Sequence, residues 1–180
     1  QNLFPIVGDF QNYGPWQVLL QDVALDGVIH MAALVRHSRY KSDDLYQNNI
    51  KGTLNILTLA VAKRCRMIYV STSGTVGVSK QLSDSADELA PYCLDTVKNW
   101  PYYHAKILAE QEARFLAEKS GVELVILRPP VLLGPGDHRG RASIHIARLI
   151  AGKIPFMLKG GYHFVDIRDV AHALVKSLSI

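Results

Sequence analysis

Short apolar runs alternate along the chain with longer segments whose apolar residues recur every three or four positions. That alternation predicts βαβ units and a parallel sheet. Leu3–Val7, Gly27–Met31, Met67–Val70 and Val122–Leu127 read as four strands. Gly27–Met31 is nearly continuous in its apolar character, as a strand covered on both faces should be. Between the second and third runs, Leu45, Ile50, Leu54, Leu57 and Val61 fall at helical spacing and predict a helix over 45–62. Ser42-Asp43-Asp44 supplies its cap and acidic first turn, and Lys63-Arg64 suits its C-terminal end. A second helix is predicted from Tyr102 to Lys119, closed by Gly121. Arg128-Pro129-Pro130 stops the fourth strand, and Gly134-Pro135-Gly136-Asp137 is a turn. Ile144–Ala151 reads as helical and Phe164–Ile167 as a short extended piece. Asp169 then caps a last helix through Leu174. Lys80–Asn99 reads as a polar loop.

The 180 residues allow one domain and a small second lobe, and 48% apolar with 20% charged residues excludes intrinsic disorder. No apolar run approaches the ~18 residues of a membrane span. The first residue is Gln, so the native start and any targeting signal need not be present. Lys+Arg 20 against Asp+Glu 16 gives a mild +4. The basic runs Lys63-Arg64-Arg66 and Arg139-Arg141 carry no interleaved aromatics for base stacking, so no nucleic-acid partner is expected. Cys65 and Cys93 have neither disulfide-framework nor zinc spacing. They fit a reducing, cytoplasmic compartment, and no metal site is expected.

In parallel sheets, ligands gather at the C-terminal ends of the strands. Three groups fall at such ends: Asp9, the turn His30-Met31-Ala32-Ala33, and Ser71-Thr72-Ser73. His30 itself reads as a satisfied core histidine. Tyr102 and Lys106, at i and i+4, share a helix face. A free phenol titrates near ~10 and is a poor base at neutral pH. A nearby ammonium favours the phenolate, and a hydroxyl such as Thr72 could hold the same reacting oxygen. The plainer alternative is an amphipathic helix with Tyr102 packed on a neighbour.

Seven motifs, in order, resemble the extended short-chain dehydrogenase/reductase family, of the NAD-dependent epimerase/dehydratase type. They are Gly8-Asp9-Phe10; Val28-Ile29-His30-Met31-Ala32-Ala33; Asn49-Ile50-Lys51-Gly52-Thr53; Val70 to Gly77; Tyr102 with Lys106 and Glu110; Arg128-Pro129-Pro130 through Asp137; and Phe164 to Ala171. The S-G-T-V wording at 73–76 resembles the dihydroflavonol reductase and 3β-hydroxysteroid dehydrogenase branches. The resemblance implies a Rossmann-like, doubly wound parallel sheet of α/β class. It also implies NAD or NADP as cofactor, and a small-molecule secondary alcohol or ketone (sugar-nucleotide, steroid-like or flavonoid-like) as substrate. Tyr102 would be the acid/base. Lys106 would hold the nicotinamide ribose and lower the Tyr102 pKa, and Thr72 would orient the reacting oxygen. A one-residue gap in the match would pass that role to Ser73. Ser71 would lie on the nicotinamide side, with Asp9, Phe10, Ala32, Ala33, Asn49, Pro129 and Val131 lining the cofactor. Asp166 and Asp169 read as turn and cap residues, and Arg168 as a solvated charge. Helices 45–62 and 102–119 would form a four-helix homodimer interface.

The chain departs from the family pattern at its start. The G-x-x-G-x-x-G turn that cradles a pyrophosphate is absent, as is the strand that selects NAD or NADP. Residues 1–180 are thus expected to form a partial NAD(P)-binding domain missing the first strand-helix-strand. Residues 138–162 would contribute to a substrate lobe. Two missing strands would leave a gap between the Leu3 and Gly27 strands, unless the Leu3 segment packs in some other way. By itself such a chain should bind NAD(P) poorly. A non-catalytic NAD(P)-binding sensor or scaffold of the same fold is the alternative function.

Overall fold

The computed structural model describes residues 3–36, 43–81, 83–138, 140, 142–154 and 160–179. Ser42, expected to cap the first long helix, and Arg139 and Arg141 lie outside them. Three strands form a parallel sheet in the order β1 (Gly27–His30), β2 (Arg66–Val70), β3 (Leu124–Leu127). His30 is in register with Tyr69, and Val70 with Leu127, so the three C-terminal ends lie side by side. A second parallel pair joins β4 (Val131–Leu133) to β5 (Phe164–Asp166).

The Leu3–Val7 strand does not form. Leu3, Phe4 and Val7 are exposed, and among the described residues β1 pairs with β2 alone. An apolar run becomes a strand only where a neighbouring backbone can pair with it, and none reaches it here. The segment instead leads into α1 (Tyr13–Leu19), which the sequence did not announce. It is held by side chains. Trp16 Nε1 donates to the Asp9 carbonyl at 2.8 Å, and Asn55 Nδ2 donates to the carbonyls of Phe10 (3.0 Å) and Gln11 (2.7 Å). The Phe10 ring lies where a methyl group on Gly52 would stand, so that glycine gives it its seat.

The helix predicted over 45–62 spans α2 (Asp43–Tyr46), a π turn (Gln47–Lys51) and α3 (Gly52–Lys63). A short α4 (Leu94–Val97) interrupts the polar loop. Pro101 opens α5 (Pro101–Ser120), where its missing N–H costs nothing. Gly121 closes it at φ 70°, its N–H on the Glu118 carbonyl and that of Val122 on Ala117. Ala109, Ala113 and Ala117 put a small-residue stripe on α5. With Leu57 and Ala60 of α3 and Met67 and Tyr69 of β2 they form the core. α6 (Ser143–Ile150) buries no residue. α7 (Ile167–Ser177) is capped by Asp166, whose side chain accepts from the Arg168 N–H at 2.8 Å, so the cap lies three residues before the expected Asp169.

Candidate active site

β2 ends at Val70 and runs into Ser71-Thr72. The Ser71 N–H donates to the Leu127 carbonyl at 2.7 Å and that of Ser73 to the Pro129 carbonyl at 3.0 Å. The hydroxyl-bearing segment is thereby laced to the end of β3. Thr72 caps a 3₁₀ turn over Ser73–Thr75, its Oγ1 accepting from the Gly74 N–H at 3.3 Å. Accepting uses a lone pair and leaves the Thr72 hydroxyl hydrogen available to donate. The Ser71 hydroxyl is buried and has no hydrogen-bond partner among the described residues.

Lys106 reaches this place from α5. It is 1% exposed, and its Nζ donates to the Val70 carbonyl at 2.9 Å. Burial, against the pull of Glu110, brings its pKa down to about 7. Tyr102 stands one helical turn earlier. Burial, then the neighbouring Tyr103, raises its phenol to about 12. The lowering by Lys106 that the sequence reading expected is thus not what this structure shows; the ammonium is committed to the Val70 carbonyl and the Tyr69 ring. One turn beyond Lys106, Glu110 is fully buried and receives Arg128 as a two-pronged pair, Nη2 at 2.6 Å and Nε at 3.0 Å. This pair clamps the end of β3 to α5, directly before Pro129.

The turn after β1 is tied in separately. The Leu34 N–H donates to Asn49 Oδ1, and Asn49 Nδ2 to the Leu34 carbonyl, both at 3.0 Å. Asn49 thus holds the chain that carries Ala32 and Ala33, and it does so from within the π turn, a distortion that often marks functional sites. His30 is a satisfied core histidine: it is buried, meets Thr53 Oγ1 at 3.1 Å, and has its pKa brought to about 4 by burial and by Lys106. Phe10 approaches it edge-on at 5.9 Å.

The structure therefore gathers Ser71, Thr72, Lys106 and Pro129 at the ends of β2 and β3. Ala32, Ala33 and Asn49 are tied together beside β1. Asp9 is exposed, with Oδ1 accepting from the Gln11 N–H at 2.9 Å, and Val131 lies in the second sheet. Sequence reasoning passed over Tyr69, gave Thr53 no role of its own beyond its motif, and did not pair Glu110 with Arg128. The spacing of Glu110 from Lys106 by four residues was the one available signal for the pair.

For a nicotinamide dinucleotide the residues present fit at one end. Ser71, whose hydroxyl is buried and without a partner among the described residues, directly follows Val70, and the Lys106 ammonium spends one of its three donors on the Val70 carbonyl. The glycine turn for a pyrophosphate is not in this sequence.

The NAD dependent epimerase/dehydratase family model matches residues 3–179. A cinnamoyl-CoA reductase 2 of Medicago truncatula is 32% identical over 160 residues, covering 83% of this chain and 46% of the relative. A putative dihydroflavonol 4-reductase of Synechocystis is 31% identical over 168 residues, covering 92% and 47%. The chain spans about half the length of the curated relatives it matches. Among solved structures, UDP-glucose 4-epimerase of Thermus thermophilus in complex with NAD superposes with TM-score 0.77 at 20% identity, over 96% of this chain and 59% of that one. RMD of Pseudomonas aeruginosa complexed with NADPH does so with TM-score 0.74 at 22% identity, over 99% and 64%. Among the described residues no helix is long and apolar enough to cross a membrane.

Proposed function

The chain belongs to the NAD-dependent epimerase/dehydratase family, and from that premise we propose that it carries the catalytic part of a nicotinamide-dependent oxidoreductase or epimerase. The substrate is a secondary alcohol or ketone. The observation that carries this reading is the buried Lys106 ammonium on the Val70 carbonyl, one helical turn after Tyr102, with the next residue of the chain, Ser71, carrying a buried hydroxyl unpartnered among the described residues. NAD or NADP, when bound, supplies or accepts the hydride. Lys106 holds the ribose with its remaining donors, and Ser71 lies on the nicotinamide side. Asp9, Phe10, Ala32, Ala33, Asn49, Pro129 and Val131 line the rest.

Thr72 donates its hydroxyl hydrogen to the reacting oxygen, with Ser73 the other candidate for that role. Tyr102 Oη moves the proton. A phenol held at about 12 is protonated throughout the neutral range, so Tyr102 as it stands is a donor, which suits reduction of a carbonyl. The relatives named as reductases support that direction. Residues 138–162 contribute to a substrate lobe, the helices over 45–62 and 102–119 form a homodimer interface, and the two free cysteines fit the cytoplasm. The test is Tyr102→Phe in the full-length protein. A loss of about 10²–10⁴ in kcat with cofactor affinity retained is expected. Turnover within a few-fold of wild type would remove Tyr102 from the role.

A further inference from the structure

We propose that Tyr69 is the positioning residue for Lys106: its ring, stacked on His30, is the seat on which the ammonium rests at the end of β2. The effect on cofactor binding rests on the role given to Lys106 above; the seat itself does not.

A buried ammonium must be compensated within the protein. Lys106 has one hydrogen bond, to the Val70 carbonyl, and its Nζ lies 4.2 Å from the centroid of the Tyr69 ring, well inside cation–π range. Glu110 supplies the nearest carboxylate, but Arg128 engages both its oxygens, so its charge is shared. Beside the Val70 carbonyl, the Tyr69 ring face is the compensation within reach of the ammonium.

The ring is held in place by its neighbours. Tyr69 and His30 are cross-strand partners, with centroids 5.5 Å apart and planes within 15°. The orientation of His30 follows from proton counting. Thr53 Oγ1 donates its single hydrogen to the Asn49 carbonyl at 2.7 Å. It must therefore accept from His30, which carries its hydrogen on Nε2. A neutral imidazole stacks on Tyr69 without repelling the ammonium. The charged and titratable groups around Lys106 among the described residues are Glu110 and Tyr102 on its own helix, His30 from β1, Tyr69 from β2 and, through Glu110, Arg128 from the end of β3 and Tyr92 from the loop before α4.

The experiment compares the Lys106 titration, read by NMR of ¹³C-labelled lysine in the full-length protein, between wild type, Tyr69→Phe and Tyr69→Leu. Removing the ring destabilises the ammonium. The midpoint in Tyr69→Leu should fall by about 0.4–1.5 pH units, a roughly three- to thirtyfold change in the protonation equilibrium. Tyr69→Phe keeps the ring and should titrate like wild type. NAD(P) affinity, by calorimetry, should fall in the Leu variant and be retained in the Phe variant. If Tyr69→Leu does not fold, pentafluorophenylalanine at 69 keeps the shape, removes the negative face and should lower the midpoint in the same direction. Midpoints that coincide with wild type in either of these two variants overturn the proposal. A lowered midpoint in a protein that binds no NAD(P) upholds the seat and removes the cofactor role of Lys106 instead.

Discussion

The two parallel sheets are built from similar residues and meet solvent very differently. In β2, Met67, Ile68 and Tyr69 are wholly buried, with α3 and α5 packed together over one face. In the pair β4–β5, Val131 and Phe164 are exposed, and the neighbouring α6 buries nothing although Ile144, Ile146, Leu149 and Ile150 all lie on it. Apolar character alone therefore does not make a core. In the first sheet, small alanines on α5 let a helix approach closely. The same sheet and the helices over it carry the buried polar groups, His30 on β1, Asn49 in the π turn, and Lys106 and Glu110 on α5. The proposed site thus draws on the well-packed half, where burial fixes side-chain positions.

The comparison can be tested through stability. Glu110→Ala leaves Arg128, largely buried, without its carboxylate, and should cost about 3–5 kcal/mol in chemical denaturation. A loss below about 1 kcal/mol would show that the clamp between α5 and β3 contributes little. Leu57→Ala, in the core of the first sheet, should cost about 3 kcal/mol.

Acidification probes the same half. The folded-state pKa of His30 is about 4 against 6.5 unfolded, so the unfolded chain binds the extra proton first. The contribution of His30 to stability is complete above about pH 6.5 and is lost, by up to about 3 kcal/mol, as pH drops to about 4. Lys106, brought from 10.5 to about 7, acts in the same direction in a second window: stability rises as pH increases from about 7 to 10.5. Urea midpoints across pH 4–8 would read the first effect, and a flat profile that His30→Gln leaves unchanged would refute it. On the thin half, Leu149→Ser should change stability by less than about 0.5 kcal/mol. A larger loss would mean that α6 is packed more firmly than its exposure shows.

Much of the first sheet was legible in the sequence. Runs such as Arg66-Met67-Ile68-Tyr69-Val70 declare a buried strand by apolar content, and Gly121 declares the end of α5. Leu3–Val7 is likewise apolar and forms no strand, because pairing depends on a partner backbone that apolar content does not reveal. α1 was hidden by Gly14-Pro15, which reads as a turn, and β4 by the Pro129-Pro130 before it. The site divides in the same way. Tyr102 and Lys106 stand out by helical spacing. Tyr69 looks like any core residue, and Glu110 and Arg128 lie 18 residues apart on elements that only folding brings together.

The Phe10 ring over Gly52 also bears on the order in which this molecule assembles. Asn55 lies 45 residues from the Phe10 carbonyl it holds, and Gly52 offers its slot only after the π turn and α3 have formed. Among the described residues the segment up to α1 adds no strand and little buried surface, so it is expected to dock late and open early. Its amides should exchange with solvent at a free-energy cost well below that of the β2 amides beneath α5. Opening it would lift the Phe10 edge from His30 while leaving α5 in place.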